Sequence, residues 1–290
     1  MSRGRECPSC GAPRIDDDRF CERCGARVSH SGDDERAHAE IDLGIVAGVT
    51  DRGLHHARNE DALFVSHLEQ NAVVVICDGV SSSTDPHTAA QIAADVAGRV
   101  LVEAVHAQLA SEDATDRWDP SSVTIDAIEA AQHAVEEIAV ENLDDPPACT
   151  LVSALWDGRD LTFGWVGDSR AYWIDKTDAR RVTVDDAWDN SHMLTRWLGA
   201  DAPGGAPGVT RFTPSASGHV VVCSDGFWNY TTRAEEIAAL VDPQPRASAL
   251  DLAQRLTRIA LAAGGHDNIT VAVMAIPAEP AAGKNARRED

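Results

Sequence analysis

Two short apolar runs that each end at an Asp-Gly pair constrain the fold of this chain more than any other feature of its sequence. Residues 72–77 lead into Asp78, and residues 219–224 lead into Asp225. A short apolar run bounded by polar residues is typical of a strand that is buried on both faces. We therefore expect buried strands that carry carboxylates at their ends.

Hydrophobic periodicity predicts the other elements. Strands are expected at 43–50, 150–156, 161–166, 171–174 and 269–276. Helices are expected at 86–109, 123–142, 234–241 and 247–262. Pro86 suits the first turn of its helix, and Ser121 and Ser122 are cap candidates for the next one. Because strands come in runs and the two long helices come as a pair, we expect an α+β fold with stacked sheets flanked by helices.

The charge balance limits the classes of partner. Among 290 residues, 25 are Lys or Arg and 47 are Asp or Glu, which gives a net charge of −22. Such a field repels phosphate backbones and anionic lipid heads, so we expect no nucleic-acid and no membrane partner. Apolar stretches fall short of the roughly 20 residues that a membrane span needs. Cations are the natural ligands of such a chain.

The N-terminal segment contains a doubled Cys-x-x-Cys-Gly turn. Its thiols are Cys7, Cys10, Cys21 and Cys24. Two such turns facing each other complete a tetrahedral shell of four thiolates, which suits a structural zinc ion with no position open for substrate. Disulfides and free thiols are the alternatives. The N-terminus has no apolar signal region, so we expect a cytoplasmic location and reduced thiols, which favour zinc.

These observations divide the chain into four parts. We expect a zinc ribbon at 1–28, a polar linker at 29–41, one large domain at 42–276 and a disordered tail at 277–290. The ribbon is expected to dock or regulate through a protein partner. The other three cysteines lie in or beside apolar strands and are expected in the core.

Several acidic residues lie where buried strands begin or end. A single Asp at such a place is more often a turn or cap residue. A group of carboxylates converging at one sheet end would repel one another unless a cation neutralised them. Oxygen ligands select Mg²⁺ or Mn²⁺ over zinc, so we expect a dinuclear hydrolytic site. The acids are Glu60, Asp61, Asp78, Asp168, Asp225 and Asp267.

Five motifs, in this order and spacing, resemble those of the metal-dependent PP2C-type (PPM) Ser/Thr protein phosphatases. They are Arg58-Asn-Glu-Asp61, Cys77-Asp-Gly79, Gly167-Asp-Ser-Arg170, Cys223-Ser-Asp-Gly226 and Gly264-Gly-His-Asp-Asn-Ile-Thr270. The resemblance covers about residues 42–276. It implies a four-layer αββα sandwich, in which two antiparallel sheets are flanked by pairs of helices.

The resemblance also implies a ligand set. Asp78 would bridge two Mn²⁺ or Mg²⁺ ions. Asp225 and Asp267 would complete the coordination of the first ion, and Glu60 with the carbonyl of Gly79 would complete that of the second.

Further roles follow from the same resemblance. Asp61 is similar to an acid that orders metal-bound waters, and Asp168 is similar to the ligand of a third, weaker ion. A water bridging the two main ions would attack the phosphorus of phosphoserine or phosphothreonine in line.

Three departures from the family pattern matter, of which the third, Pro147-Ala-Cys-Thr150 in place of Gly-Thr-Thr, is expected to be tolerated. The family's phosphate-binding Arg usually stands four residues before the metal Glu, where this chain has His56. Arg58 lies two residues before that Glu and would share a face with it in an extended segment, so we expect Arg58 to bind phosphate. The glycine pair or histidine usual after Asp-Gly is replaced from Val80 onward.

The leading interpretation is a protein phosphatase that acts on phosphoproteins and opposes Ser/Thr kinases. The alternatives are a pseudophosphatase, which keeps the metal sites but has lost turnover, and a zinc-ribbon adaptor whose large domain is only a scaffold. Retention of all the principal metal positions argues against the pseudophosphatase.

Overall fold

A computed structural model of the chain describes residues 37–111, 118–139, 144–188, 193–241 and 247–277. The predicted zinc ribbon at 1–28 and the predicted disordered tail beyond Pro277 lie outside these ranges. They therefore stay predictions.

Two antiparallel sheets form the centre of the described fold. The first has the strand order β1-β2-β13-β12-β8-β9 and the second has the order β11-β7-β6-β4-β3. The first comprises β1 (His38–Asp42), β2 (Val46–Asp51), β8 (Arg170–Asp175), β9 (Ala179–Arg181), β12 (Gly218–Cys223) and β13 (Ile269–Ile276). The second comprises β3 (Asp61–Leu68), β4 (Asn71–Asp78), β6 (Leu151–Trp156), β7 (Leu161–Val166) and β11 (Gly208–Phe212). A small ladder joins β5 (Ala148–Cys149) to β10 (Leu198–Gly199).

Helices cover the outer face of each sheet. The pair that packs on the second sheet is α1 (Pro86–Ala110) and α2 (Pro120–Glu137). The first sheet is covered by α3 (Asp225–Trp228), α4 (Ala234–Val241) and α5 (Ala249–Ala263). The predicted four-layer sandwich is thus confirmed.

Strand β4 explains why its sequence is apolar without alternation. Val73 and Val75 face the α1 and α2 layer, whereas Val74 and Ile76 face the other sheet. Both faces are therefore buried, and period-2 patterning disappears. The three described cysteines, Cys77, Cys149 and Cys223, are buried and free, as expected for core residues.

The second long helix begins earlier than predicted. It starts at Pro120, and the side chain of Asp119 accepts a hydrogen bond from the Ser121 backbone N–H at 3.2 Å. The expectation that Ser121 or Ser122 caps this helix is therefore wrong. Proline suits the first helical turn, and the short acid before it is the better cap.

The predicted linker and the predicted first strand need correction. His38–Asp42 forms β1, an edge strand that pairs antiparallel with β2, so the last residues of the expected 29–41 linker belong to the sheet. Gly44, with φ +84°, turns the chain between the two strands, and β2 begins only at Val46. The edge strand is half exposed and polar, which hides it from a hydrophobicity pattern.

The hydrophobicity pattern also missed strand β3, which is an edge strand of the second sheet and has most of its residues only partly buried. In the part of the chain that the structure describes, no helix has both the length and the apolarity to cross a bilayer.

Candidate metal centre

The centre is built at the end of the β3–β4 hairpin. Asp61 opens β3 and Asp78 closes β4, and the two residues are direct partners in the antiparallel register. Like charges placed directly opposite each other destabilise a sheet. A carboxylate pair at this position therefore needs either a proton or a cation to offset the repulsion.

The charges of three more carboxylates act on this pair. Partial burial raises the pKa of Asp78 well above its ordinary value, and the negative charges of Asp61, Asp225, Asp267 and Asp168 raise it further. The structure thus brings together five of the acids that the sequence singled out. Strongly perturbed pKa values of this kind are concentrated at functional sites.

Asp61 is the most deeply placed acid of the hairpin. Burial raises its pKa to about 7, against the opposing effect of the Thr270 and Ser224 hydroxyls. Ser224 Oγ donates to Asp61 Oδ2 at 2.7 Å. Asp61 Oδ1 is buried and makes no hydrogen bond to any described residue. A buried carboxylate oxygen without a donor is the kind of atom that a cation or its hydration water can satisfy.

Asp168 lies in the turn between β7 and β8. Burial first, and then the charges of Asp225 and Asp185, raise its pKa to about 7. The indole Nε1 of Trp228 donates to the Asp168 carbonyl oxygen at 2.9 Å. Arg170 lies over the same Trp228 ring, 3.5 Å from its centroid, and pairs with Asp185 at 2.7 Å. The turn that carries Asp168 is therefore fixed from two sides.

Asn268 holds the loop that precedes β3, a role that sequence reasoning missed. Its Oδ1 accepts a hydrogen bond from the Glu60 N–H at 2.6 Å, and its Nδ2 donates to the carbonyls of Arg52 and Arg58 at 2.8 and 3.1 Å. Gly53 has φ +73°, and a Cβ there would lie 2.1 Å from the Asp267 carbonyl oxygen. The available signal was the position of Asn268, directly after Asp267 and before an apolar run.

Glu60 and Gly79 meet beside the β4 end. The Gly79 N–H donates to the Glu60 carbonyl oxygen at 3.2 Å, and Ser81 Oγ donates to Glu60 Oε2 at 3.3 Å. A Cβ on Gly79 would lie 2.7 Å from the Pro86 backbone at the start of α1. Only glycine fits this close approach of loop and helix.

The two candidates for phosphate binding, His56 and Arg58, contact different residues. His56 Nε2 lies 3.2 Å from Asp267 Oδ1, whereas Arg58 Nη1 lies 3.0 Å from His87 Nε2. Residues 56–60 form bends and irregular backbone, so the expectation that they share the face of an extended segment is wrong. Asn268 Nδ2 donates to the carbonyls of Arg52 and Arg58, so these two carbonyls are bonded to a side chain and not to a neighbouring strand.

The donor set fits hard cations. Its side-chain donors are carboxylate oxygens, which suit Mg²⁺ or Mn²⁺. Within the described ranges, no set of three or more His, Cys, Asp and Glu side chains forms a group that could hold a metal ion as it stands. Mg²⁺ in proteins usually keeps several of its waters, so a carboxylate can act on the ion through a water without contacting it. The cluster is therefore compatible with ions that contact only a few carboxylates directly and reach the others through water.

Comparison with known proteins identifies the family. The protein phosphatase 2C family profile matches residues 52–260, well over half of the chain. The chain belongs to the protein phosphatase 2C family. A zinc-ribbon domain profile matches residues 7–28, in line with the predicted N-terminal segment.

Two bacterial relatives show the degree of similarity. The chain is 25% identical over 248 residues to the serine/threonine protein phosphatase PstP of Mycobacterium tuberculosis, covering 78% of this chain but only 44% of PstP. It is 26% identical over 247 residues to the serine/threonine phosphatase stp of Listeria innocua, covering 77% of this chain and 92% of that protein.

A solved structure gives the match in three dimensions. The catalytic domain of PstP in complex with two manganese ions superposes with a TM-score of 0.61 at 25% identity. The match covers 80% of this chain and 97% of that domain.

Proposed function

We propose that this chain is a Mn²⁺- or Mg²⁺-dependent protein phosphatase that hydrolyses phosphoserine and phosphothreonine in proteins. The observation that carries the proposal is the placement of Asp61 directly opposite Asp78 in the β3–β4 register, with the charges of Asp168, Asp225 and Asp267 acting on the same carboxylate. Repulsion among these carboxylates raises the free energy of the folded protein, and bound divalent cations remove that repulsion. Family membership and the two manganese ions of the PstP catalytic domain support the same reading.

Under this proposal, the ligands divide between two ions. Asp78, Asp225 and Asp267 would hold the first ion, and Asp78, Glu60 and the Gly79 carbonyl would hold the second. The hydrogen bond from Gly79 N–H to the Glu60 carbonyl supports the second set, because it holds the two residues side by side.

Asp168 is proposed as the ligand of a third, weaker ion. Repulsion from Asp225, which contributes to its raised pKa, supports this placement near the first ion.

The chemistry divides between the ions and the chain. When bound, divalent ions lower the pKa of water to produce a nucleophile and offset phosphoryl charge. Asp61 orients water through its buried Oδ1. His56 and Arg58 are the two candidates for holding the phosphate, and a guanidinium is the better bidentate donor.

The N-terminal segment completes the proposal. Cys7, Cys10, Cys21 and Cys24 hold one structural zinc ion, which folds a ribbon that docks a protein partner. A cytoplasmic location belongs to the proposal, because zinc requires reduced thiolates.

The deciding experiment measures phosphate release from a phosphothreonine peptide. We expect turnover with Mn²⁺, its loss after chelation, and its return when Mn²⁺ alone is added back. Asp78→Asn should abolish turnover, whereas Asp126→Asn, an exposed charge change on α2, should not. A folded parent protein that binds Mn²⁺ and releases no phosphate would identify a pseudophosphatase and overturn the proposal.

A further inference from the structure

A second concave surface begins one residue beyond Gly79. This groove, of about 350 Å³, is lined by Val80, Ser83, Asp145, Met193, Trp197 and Asp201, among others. We call it the Trp197 groove. Val80, which follows Gly79 directly in the chain, forms part of its wall, so the groove adjoins the loop that carries Gly79.

Hydrogen bonds tie the groove to the loop that carries Gly79. The Val80 N–H donates to the Ala148 carbonyl oxygen at 2.9 Å, and the Thr84 N–H donates to the Asp145 carbonyl oxygen at 3.0 Å. The Ala148 N–H in turn donates to Ser83 Oγ at 3.2 Å. The groove wall and the metal-centre loop therefore form one hydrogen-bonded unit.

The opposite wall presents apolar side chains to solvent. Met193 is 67% exposed, and Leu194 and Trp197 are half-buried beside it. Trp197 Nε1 donates to Asp201 Oδ1 at 2.9 Å, which orients the indole. An exposed methionine next to a partly buried tryptophan is typical of a surface that contacts another molecule.

The rim of the groove is acidic. Asp145 and Asp201 are both exposed, and none of the ten described residues that line the groove is basic. The chain as a whole carries a charge of −22. A ligand with apolar and basic side chains complements this surface, whereas an acidic ligand is repelled.

We propose that the Trp197 groove binds the part of a substrate protein that flanks the phosphorylated residue, and that it selects an apolar side chain next to Lys or Arg. This inference rests on the proposed phosphatase function. An extended peptide advances roughly 3.3 Å per residue, so a few residues beyond the phosphate reach the groove. The acidic rim steers the basic residue, and Met193 and Trp197 contact the apolar one.

The test compares phosphothreonine peptides that differ only in their flanking residues. Leu-Arg flanks are set against Leu-Glu flanks, and kcat/KM is measured for each at low salt. We expect the parent protein to favour the basic peptide. Asp145→Asn and Asp201→Asn should each lower the ratio of basic to acidic kcat/KM by roughly 2- to 5-fold, and the double variant should lower it further. Asp126→Asn removes the same charge on α2 and should leave the ratio unchanged.

A ratio is used because a merely structural effect changes both peptides equally. An unchanged ratio in the double variant, or an equal change in Asp126→Asn, overturns the groove assignment. A second series tests the apolar contact: Met193→Ser should reduce the preference for Leu over Ser flanks, and an unchanged preference contradicts that part.

Peptide binding separates this inference from the proposed function. Fluorescence anisotropy of the labelled basic peptide reports affinity without turnover. If the double variant weakens binding but the parent protein releases no phosphate, the groove assignment holds and the phosphatase proposal fails. If phosphate is released but binding shows no dependence on flanking charge, the groove assignment fails alone.

Discussion

Replacing Asn268 with alanine isolates the residue that fixes the loop before β3. Asn268 is 3% exposed, and its side chain makes three hydrogen bonds, one from the Glu60 N–H and two to the carbonyls of Arg52 and Arg58. A hydrogen bond contributes about 0.5–1.5 kcal/mol net, and an orphaned buried group costs more. We therefore expect Asn268→Ala to lower the free energy of unfolding by about 2–4 kcal/mol.

We expect Asn268→Ala to weaken Mn²⁺ affinity in addition to lowering the free energy of unfolding. Glu60 belongs to the proposed second ion site, and its backbone is anchored by Asn268. Urea unfolding of the metal-free protein measures stability, and calorimetric titration with Mn²⁺ measures affinity. We expect weaker Mn²⁺ binding and a rate that recovers as Mn²⁺ is raised.

Asn71→Ala is the matched control. Asn71 is also buried, and its Nδ2 donates to the Leu68 carbonyl at 3.2 Å at the other end of the same hairpin. It should cost about 1 kcal/mol and leave Mn²⁺ affinity unchanged. If Asn268→Ala binds Mn²⁺ as tightly as Asn71→Ala does, Asn268 does not position the metal centre.

Three further predictions address protons, phosphate and the ribbon. In the folded protein the pKa of Asp61 and of Asp168 is about 7, against an ordinary value of 3.8. Between these pH values the folded metal-free protein binds more protons than the unfolded chain. Its free energy of unfolding therefore falls as pH rises from about 4 to 7, by up to about 4 kcal/mol per group. Thermal unfolding at pH 5 and pH 8 should show this fall, and Mn²⁺ should remove most of it. If Arg58 binds phosphate, Arg58→Ala should raise KM by about 10- to 100-fold while His56→Ala does little; if His56 binds phosphate, the two variants should show the reverse. Cys21→Ser should abolish zinc binding without loss of phosphatase activity, measured by zinc content and phosphate release, and an inactive but folded variant would make the ribbon part of the active unit.

The sequence predicted the buried layers of the fold because burial leaves a strong pattern. Strand β4 is apolar on both faces, and α1 repeats its apolar residues at helical spacing. The edge strands β1 and β3 left no such pattern, because β1 is polar and largely exposed and most of β3 is only partly buried. The cap of α2 is Asp119, directly before Pro120, and not one of the two serines that the sequence offered.

The sequence predicted which acids form the site but not how the loop at 52–60 arranges the residues around them. Asp78 and its neighbours could be inferred because several strands end in carboxylates. The shape of the 52–60 loop could not, since it depends on the long-range hydrogen bonds of Asn268. That loop brings His56 to Asp267 and carries Arg58 to His87, which no spacing rule indicates.

The central claim is that the aspartate cluster around Asp78 binds two divalent cations. Calorimetric titration of the zinc-loaded protein with Mn²⁺ tests it most directly, with Asp126→Asn as the control. We expect at least two Mn²⁺ ions per chain in the parent protein and in Asp126→Asn, and loss of both principal ions in Asp78→Asn. Two tightly bound ions that persist in a folded Asp78→Asn variant would contradict the account.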